Sequence, residues 1–397
     1  MKKIMILGAT LTQIPLIKAA KELGFWTIVA SIDGNYPAFE YADEICYVDI
    51  LNAQAVLQRA QELKIDGIAT CCMDTPVKAL GLVCDKMKLT GLSFDVANLC
   101  NNKLLMKKAF INHNVNTARF MEITNERDLN EACDTLNFPL IIKAVDLQAS
   151  RGIYVVNNRE EAHSGFKKTM ALTHQKYCII EEFIKGEEFG AQAFVTNGEI
   201  LFVLPHGDYT FYKHTALPIG HFAPLELPEE VIKLAEKESI KAIRAVGLDN
   251  CAVNIDMIYK DGKVYMIELT GRAGATNLCE LVSIYYGVEY YKMIALAAMG
   301  KDPRFYFNKR NKNVTPVATK FLMSNKTGVL KSVINSNTDL DIENICDIEV
   351  YVKPGEKVNK FEDGKDRVGH LIVKGASIEE CLKTLDRCYS NIKINIE

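Results

Sequence analysis

A chain of 397 residues can bury more than one core, and its length suggests about two or three domains. Its 48% hydrophobic and 24% charged content is that of an ordinary globular protein and excludes disordered and collagen-like classes. A net charge of -3, spread along the chain, leaves no basic tract for a nucleic-acid backbone and no polybasic membrane anchor, so neither nucleic acid nor membrane is an expected partner.

The apolar run Ile4-Met5-Ile6-Leu7 is too short for a signal-peptide core, and no segment reaches the length of a membrane-spanning helix. The 12 cysteines, including the adjacent Cys71-Cys72, are irregularly spaced with no C-x-x-C, which reads as reduced thiols in a cytoplasmic protein. From the N-terminus, strand and helix alternate. Lys3 to Leu7 is a strand, Ile14 to Leu23 a helix closed by Gly24, Trp26 to Ala30 a strand, Asn52 to Leu63 a helix and Gly67 to Cys71 a strand. This order predicts a parallel, Rossmann-like sheet domain over residues 1–95. Gly8-Ala9-Thr10-Leu11-Thr12-Gln13 lacks the second and third glycines of a dinucleotide fingerprint, so nicotinamide binding, with Asp33 as the ribose acid, is the disfavoured reading.

From Asn98 the pattern becomes α+β. Lys103 opens a helix to Asn112. Phe138 to Ala144 is an apolar strand that ends in Lys143, and Gly152 to Val156 is its hairpin partner across the polar loop Val145 to Arg151. An ammonium at the end of such a strand must leave the apolar layer toward an anion, and phosphate suits it. A third strand, Cys178 to Ile184, runs into Lys185-Gly186-Glu187-Glu188. Pro205 to Thr215 and Gly220 to Pro224 bring together His206, His214 and His221, a group able to orient or deprotonate an amine, or else an ordinary polar loop. The expected divisions are a central domain over 96–313, with a lid subdomain at about 115–185, and a small C-terminal α+β subdomain over 314–397. The latter has strands near Thr319 to Met323, Ile348 to Val352 and Gly369 to Val373, and a helix from Ile378 to Cys388.

The stretch Asn254 to Arg272 carries most of the chemistry. Two β-rich runs flank Asp261-Gly262, a hairpin signal. A three-residue loop of Lys260, Asp261 and Gly262 puts Asn254, Asp256, Glu268, Thr270 and Arg272 on one face, whereas a two-residue loop separates Asp256 from Glu268. The shared face is the expected one. Neighbouring carboxylates repel unless a cation lies between them, and their hard oxygens suit Mg²⁺; an edge hairpin with ordinary solvated charges is the alternative.

In order and spacing these residues resemble the ATP-grasp superfamily, over essentially the whole chain. The resemblance is closest to the carboxylate-amine ligase branch, with the carbamoyl-phosphate synthase large subunit, biotin carboxylase and the L-amino acid ligases. It implies that Lys103 in Asn102-Lys103-Leu104-Leu105-Met106 and Lys143 contact the nucleotide phosphates. Ser150, Arg151 and the Gly152 amide would cover them, in a loop poorer in glycine than the family's. Glu181 and the backbone of Glu182, Phe183 and Ile184 would meet the adenine, and Glu188 the ribose hydroxyls. Asp256 and Glu268 would hold Mg²⁺, or Mn²⁺ in its place, with Thr270 standing where the family commonly has a third ligand, Asn. Arg272 would face the substrate carboxylate and its acyl phosphate, the alternative being a surface salt bridge; His214 and His221 would lie on the substrate side. The implied activity is ATP- and Mg²⁺-dependent amide formation from a small carboxylic acid, plausibly an amino acid, and an amine, in a homodimer. The alternatives are phosphorylation of bicarbonate, a step on a purine precursor, or nucleotide binding without turnover.

Overall fold

The computed structural model describes residues 1–148, 151–212 and 216–397. The chain forms two compact units. The first comprises Met1–Val203, Pro228–Gly274 and Tyr291–Phe305; the second comprises Leu204–Leu227, Ala275–Tyr290 and Tyr306–Glu397.

The first unit opens with the parallel sheet expected from the alternation. β1 (Lys3–Leu7), β2 (Trp26–Ser31), β3 (Glu44–Tyr47) and β4 (Gly67–Ala69) lie in the order β3-β2-β1-β4, all parallel. α1 (Ile14–Glu22), α2 (Ala53–Leu63) and α3 (Val77–Met87) accompany them. Ile4 to Leu7 are wholly buried, which is why β1 reads as a continuous apolar run rather than an alternating one. β3 has no comparable apolar run and was not anticipated. β4 ends two residues earlier than expected, so Cys71 to Asp74 leave the sheet at its carboxyl edge.

After α4 (Phe94–Cys100), α5 (Lys103–Asn112) starts where the Asn102 side chain accepts from the amides of Leu104 and Leu105 at 3.1 Å each. An antiparallel sheet follows, built from β5 (Phe120–Ile123), β6 (Leu140–Lys143), β7 (Ile153–Val156) and β8 (Cys178–Glu182) in the order β5-β8-β6-β7. α6 (Glu126–Thr135) and α7 (Arg159–Met170) cover one face. Leu129, Ala132 and Phe166 pack there against Ile123, Leu140, Ile142, Val156 and Ile180. β9 (Glu187–Thr196) and the hairpin strands Cys251–Lys260 and Lys263–Thr270 form a further antiparallel sheet, with the first hairpin strand in the middle.

In the second unit, residues 204–212, Ala216–Ala223, Val317–Met323, Arg367–Lys374 and Ile345–Val350 lie side by side, antiparallel. A smaller sheet pairs Gly328–Asn335 with Lys357–Val358 and Ile392–Ile396. Helix Ile378–Ser390 contributes Cys381, Leu385 and Cys388 to the core that Ala318, Leu322, Leu371 and Val373 supply from the strands. The α+β character matches expectation, while Gly328–Asn335 and Ile392–Ile396 were not foreseen. No helix among the described residues is long and apolar enough to cross a membrane.

Candidate active site

The acidic hairpin reaches the expected arrangement by a different route. Lys260 pairs with Lys263, so the loop has two residues, Asp261 at φ 48° and Gly262 at φ 76°. Positive φ at both positions is the signature of the tight turn favoured by Asp-Gly. The three-residue loop is therefore corrected. By parity alone this turn would split Asp256 from Glu268, but a β-bulge intervenes. Met257 pairs with Met266 and Asp256 with Glu268, leaving Ile267 as the additional residue. Asp256 thus stands opposite Glu268, and Asn254 opposite Thr270.

A chain of amides fixes this face. Gln192 of β9 donates to Asn254 Oδ1 at 2.7 Å and accepts from the Gly274 amide at 2.9 Å; Asn254 Nδ2 lies 3.4 Å from Asp256 Oδ1. Gly186 is required where the preceding turn passes the hairpin, because a Cβ there would lie 2.3 Å from the Tyr259 carbonyl oxygen. Glu188, further along β9, pairs with Ile258.

Lys103 Nζ lies 3.2 Å from Glu268 Oε2 and donates to the Leu147 carbonyl at 2.9 Å, so the start of α5, the hairpin and the loop after β6 converge on one ammonium. Lys143, read from sequence as seeking an anion, finds a protein carboxylate. Its Nζ is 3.3 Å from Glu181 Oε2, its diagonal neighbour across β6 and β8. Lys107, which sequence reading passed over, reaches the same oxygen at 3.0 Å. It lies one turn beyond Lys103 on α5, and the i, i+4 spacing of two lysines was the available signal. Burial favours the neutral form of Glu181, but the two ammoniums outweigh it and its pKa is lowered. Glu181 Oε1 is buried with no hydrogen-bond partner among the described residues.

Glu182 faces the other way, ion-paired with Arg119 at 2.9 Å. The amides of Glu182 and Phe183 donate to Arg119 O and Pro139 O, so both are already committed; Ile184 follows them. Arg151 is exposed, its amide 3.3 Å from Gln148 O, and Gly152 adopts φ 68°. Ser150 and His214 lie outside the described residues.

Arg272 is partly buried. Its Nε and Nη2 donate to the two oxygens of Asp74 at 2.6 and 2.7 Å, and Nη1 to the Ala273 carbonyl at 3.1 Å. The salt bridge weighed as an alternative therefore exists, but partly buried in the wall of a pocket rather than on the open surface. Burial opposes the guanidinium charge, and the Asp74 carboxylate more than offsets this, so its pKa is raised. Burial likewise acts to raise the Asp74 pKa, but Arg272, with a hydrogen bond from Thr270, holds it lowered. Thr270 is thus turned to Asp74, and Asn254 is the amide beside Asp256. Asp74 was not found from sequence. The signal was its position just beyond the carboxyl end of β4, where open α/β sheets place their ligand sites. Asp74, Arg272, Lys103, Glu268, Asn254 and Thr270 line one pocket with Asn101, Asp146 and Gln148.

In the second unit, His206 and His221 sit on paired strands and are buried, not in a polar loop. Each places Nδ1 on Asp208 Oδ1, at 3.0 and 2.6 Å. Burial lowers the His221 pKa, only partly opposed by Asp208.

The chain resembles known proteins over its whole length. Residues 101–247 match the family model of the phosphoribosylglycinamide synthetase ATP-grasp (A) domain, and residues 320–397 that of the L-amino acid ligase C-terminal domain 2. A crystal structure of phosphoribosylglycinamide synthetase from Anaerococcus prevotii is 45% identical over the whole of both chains, with a TM-score of 0.88. An L-amino acid ligase from Bacillus licheniformis has the same fold at 19% identity, with a TM-score of 0.83 over 100% of this chain and 99% of that one. A formate-dependent phosphoribosylglycinamide formyltransferase from Prochlorococcus marinus is 23% identical over 99% of this chain and 97% of its own length. The chain belongs to the ATP-grasp superfamily. It is an ATP-dependent ligase, an enzyme that binds ATP and Mg²⁺.

Proposed function

We propose that the enzyme joins a small α-amino acid, through its carboxylate, to an amine, by way of an acyl phosphate. The observation that carries this reading is the partly buried pair of Arg272 and Asp74 in the same pocket as Lys103 and Glu268. A guanidinium suits a carboxylate and an adjacent aspartate suits an α-ammonium, so together they match a zwitterion. Three of the five guanidinium N–H groups are accounted for by Asp74 and Ala273, and Nη1 and Nη2 each keep a further one for the incoming acid.

In this reading Lys103 and Lys143 neutralise the phosphates and Arg151 and the Gly152 amide cover them, with Ser150 between. Glu181 and the backbone from Glu182 through Phe183 to Ile184 meet the base, and Glu188 meets the ribose. Asp256 and Glu268 would hold Mg²⁺, or Mn²⁺; carboxylate oxygens facing across one hairpin fit a hard divalent cation. When bound, the ion supplies charge neutralisation at the triphosphate. Arg272 holds the acid so that one carboxylate oxygen attacks the γ-phosphorus in line and ADP leaves. The amine nitrogen then attacks the acyl carbon, phosphate departs with the C–O bond electrons, and the amine loses a proton. His221, whose Nδ1 is tied to Asp208, is our candidate for orienting that amine; His214 shares the assignment. The modules are 1–95, 96–313 and 314–397, and the assembly a homodimer.

A second reading, synthesis of phosphoribosylglycinamide, is favoured by the name of the 45% identical relative. A glycinamide is itself an amide of an amino acid, so the two readings differ in the amine. Against a phosphoribosyl amine, the cations among the described pocket-lining residues are Lys103 and Arg272, and each already pairs with a carboxylate. The deciding experiment is ADP and phosphate release with MgATP and a matrix of amino acids, carboxylic acids, amines, phosphoribosylamine and bicarbonate, with mass spectrometry of products. A substrate-dependent burst of ADP with an amide product supports the first reading. Turnover only with phosphoribosylamine and glycine moves the assignment to the second. ATP binding without ADP release in any combination refutes both.

A further inference from the structure

The trio Lys107, Glu181 and Lys143 carries one negative charge against two positive ones, buried where excess charge is penalised. Lys107 alone is enough to compensate Glu181. The two lysines are also held differently. Lys107, with a side chain 2% exposed, lies 3.0 Å from Glu181 Oε2, donates to Thr117 Oγ1 at 2.6 Å and sits 5.5 Å from the Phe120 ring centroid. Thr117 in turn donates to the Met266 carbonyl at 3.0 Å, two residues before Glu268, so Lys107 is tied to the hairpin. Lys143 makes the longer contact, 3.3 Å, from a side chain that is 9% exposed. Both ammoniums address Oε2, since Oε1 has no partner among the described residues.

We propose that Lys107 is a positioning residue: it keeps Glu181 charge-compensated, so that Lys143 can leave Glu181 for the nucleotide phosphates. Without Lys107, the buried Glu181 carboxylate would hold Lys143 as its remaining cation, and release of Lys143 would strand an unpaired charge. This rests on the nucleotide-binding reading of Lys143 and adds a role that touches no substrate.

The test compares ATP, ADP and adenosine affinities of the full chain, the last by competition, in wild type, Lys107→Met, Lys107→Met/Glu181→Gln and Thr117→Val. Lys107→Met should weaken ATP and ADP by about 10- to 100-fold, the value of a hydrogen bond to a charged group. Adenosine, which has no phosphate, should change by no more than about twofold, the usual tolerance for independent sites. Glu181→Gln in the Lys107→Met background removes the charge that traps Lys143; because any change in the base contact of Glu181 falls on ATP and adenosine alike, the ratio of ATP to adenosine affinity should recover most of its wild-type value. A purely structural pair would recover stability, and with it ATP and adenosine binding together, whereas the positioning role predicts recovery of ATP relative to adenosine. Thr117→Val, which keeps the shape and loses the hydroxyl, should shift ATP in the same direction and spare adenosine, and it probes the same link even if Lys107→Met fails to fold. Equal losses for ATP and adenosine, no rescue of that ratio in the double variant, or unchanged ATP affinity in Thr117→Val would overturn the proposal. If wild type bound ATP normally while these patterns failed, only the role of Lys107 falls; if wild type bound no ATP, the nucleotide reading falls first.

Discussion

Asp74→Asn isolates the pair on which the substrate reading stands. The native carboxylate accepts two hydrogen bonds, at 2.6 and 2.7 Å, from a partly buried guanidinium. Asparagine keeps the shape and one acceptor but loses the charge and the second acceptor. Removing one partner of a buried ion pair costs about 3–5 kcal/mol. The side chain of Asp74 remains 26% exposed, so we expect the lower end, about 3 kcal/mol, in urea unfolding. The catalytic effect separates substrates. An α-ammonium loses a charged partner worth about 1.5–3 kcal/mol, so kcat/KM for amino acids should fall about 10- to 100-fold. The KM for ATP should stay unchanged, and carboxylic acids without an α-amino group should gain relative to amino acids. The pH dependence has a definite sign. Because the Asp74 pKa is lowered in the folded protein, its contribution to stability is complete above the unfolded-state value, about 3.9, and is lost as pH falls through the folded value. Wild type and Asp74→Asn should therefore converge in stability toward strongly acidic pH. Destabilisation with no change in preference for the α-amino group would leave Asp74 as a support for Arg272 alone and refute its role in recognition.

Glu268→Gln should fold normally, since the side chain is 40% exposed, yet lose more activity than the roughly 10- to 100-fold typical of residues one layer outside a metal site. Full turnover with Mg²⁺ would exclude Glu268 as a ligand. Arg272→Lys replaces a forked donor with a point charge and should lower kcat/KM for the acid by about 10- to 100-fold while sparing ATP binding, read by isothermal titration. Gly186→Ala should destabilise by about 1–3 kcal/mol, because its Cβ would lie 2.3 Å from the Tyr259 carbonyl oxygen; unchanged urea unfolding would show that the turn yields at no cost.

Much of the local structure was legible in the sequence. The run Ile4 to Leu7, the span Lys103 to Asn112 behind its Asn102 cap, and the Asp261-Gly262 turn each express a preference that acts within a few residues. The order of lysines, acids and arginine was enough to indicate the superfamily. Three features of the site were decided only by the tertiary structure. The pairing of Asp256 with Glu268 depends on a bulge at Ile267, since the turn alone sets the opposite parity. Asp74 meets Arg272 from 198 residues away, and neither neighbourhood carries a periodic signal of the other. Glu181 holds Lys107 and Lys143 through one oxygen because α5, β6 and β8 converge there. Backbone preference is written locally, whereas the partner of a buried charge is set by which distant segments close together and exclude water.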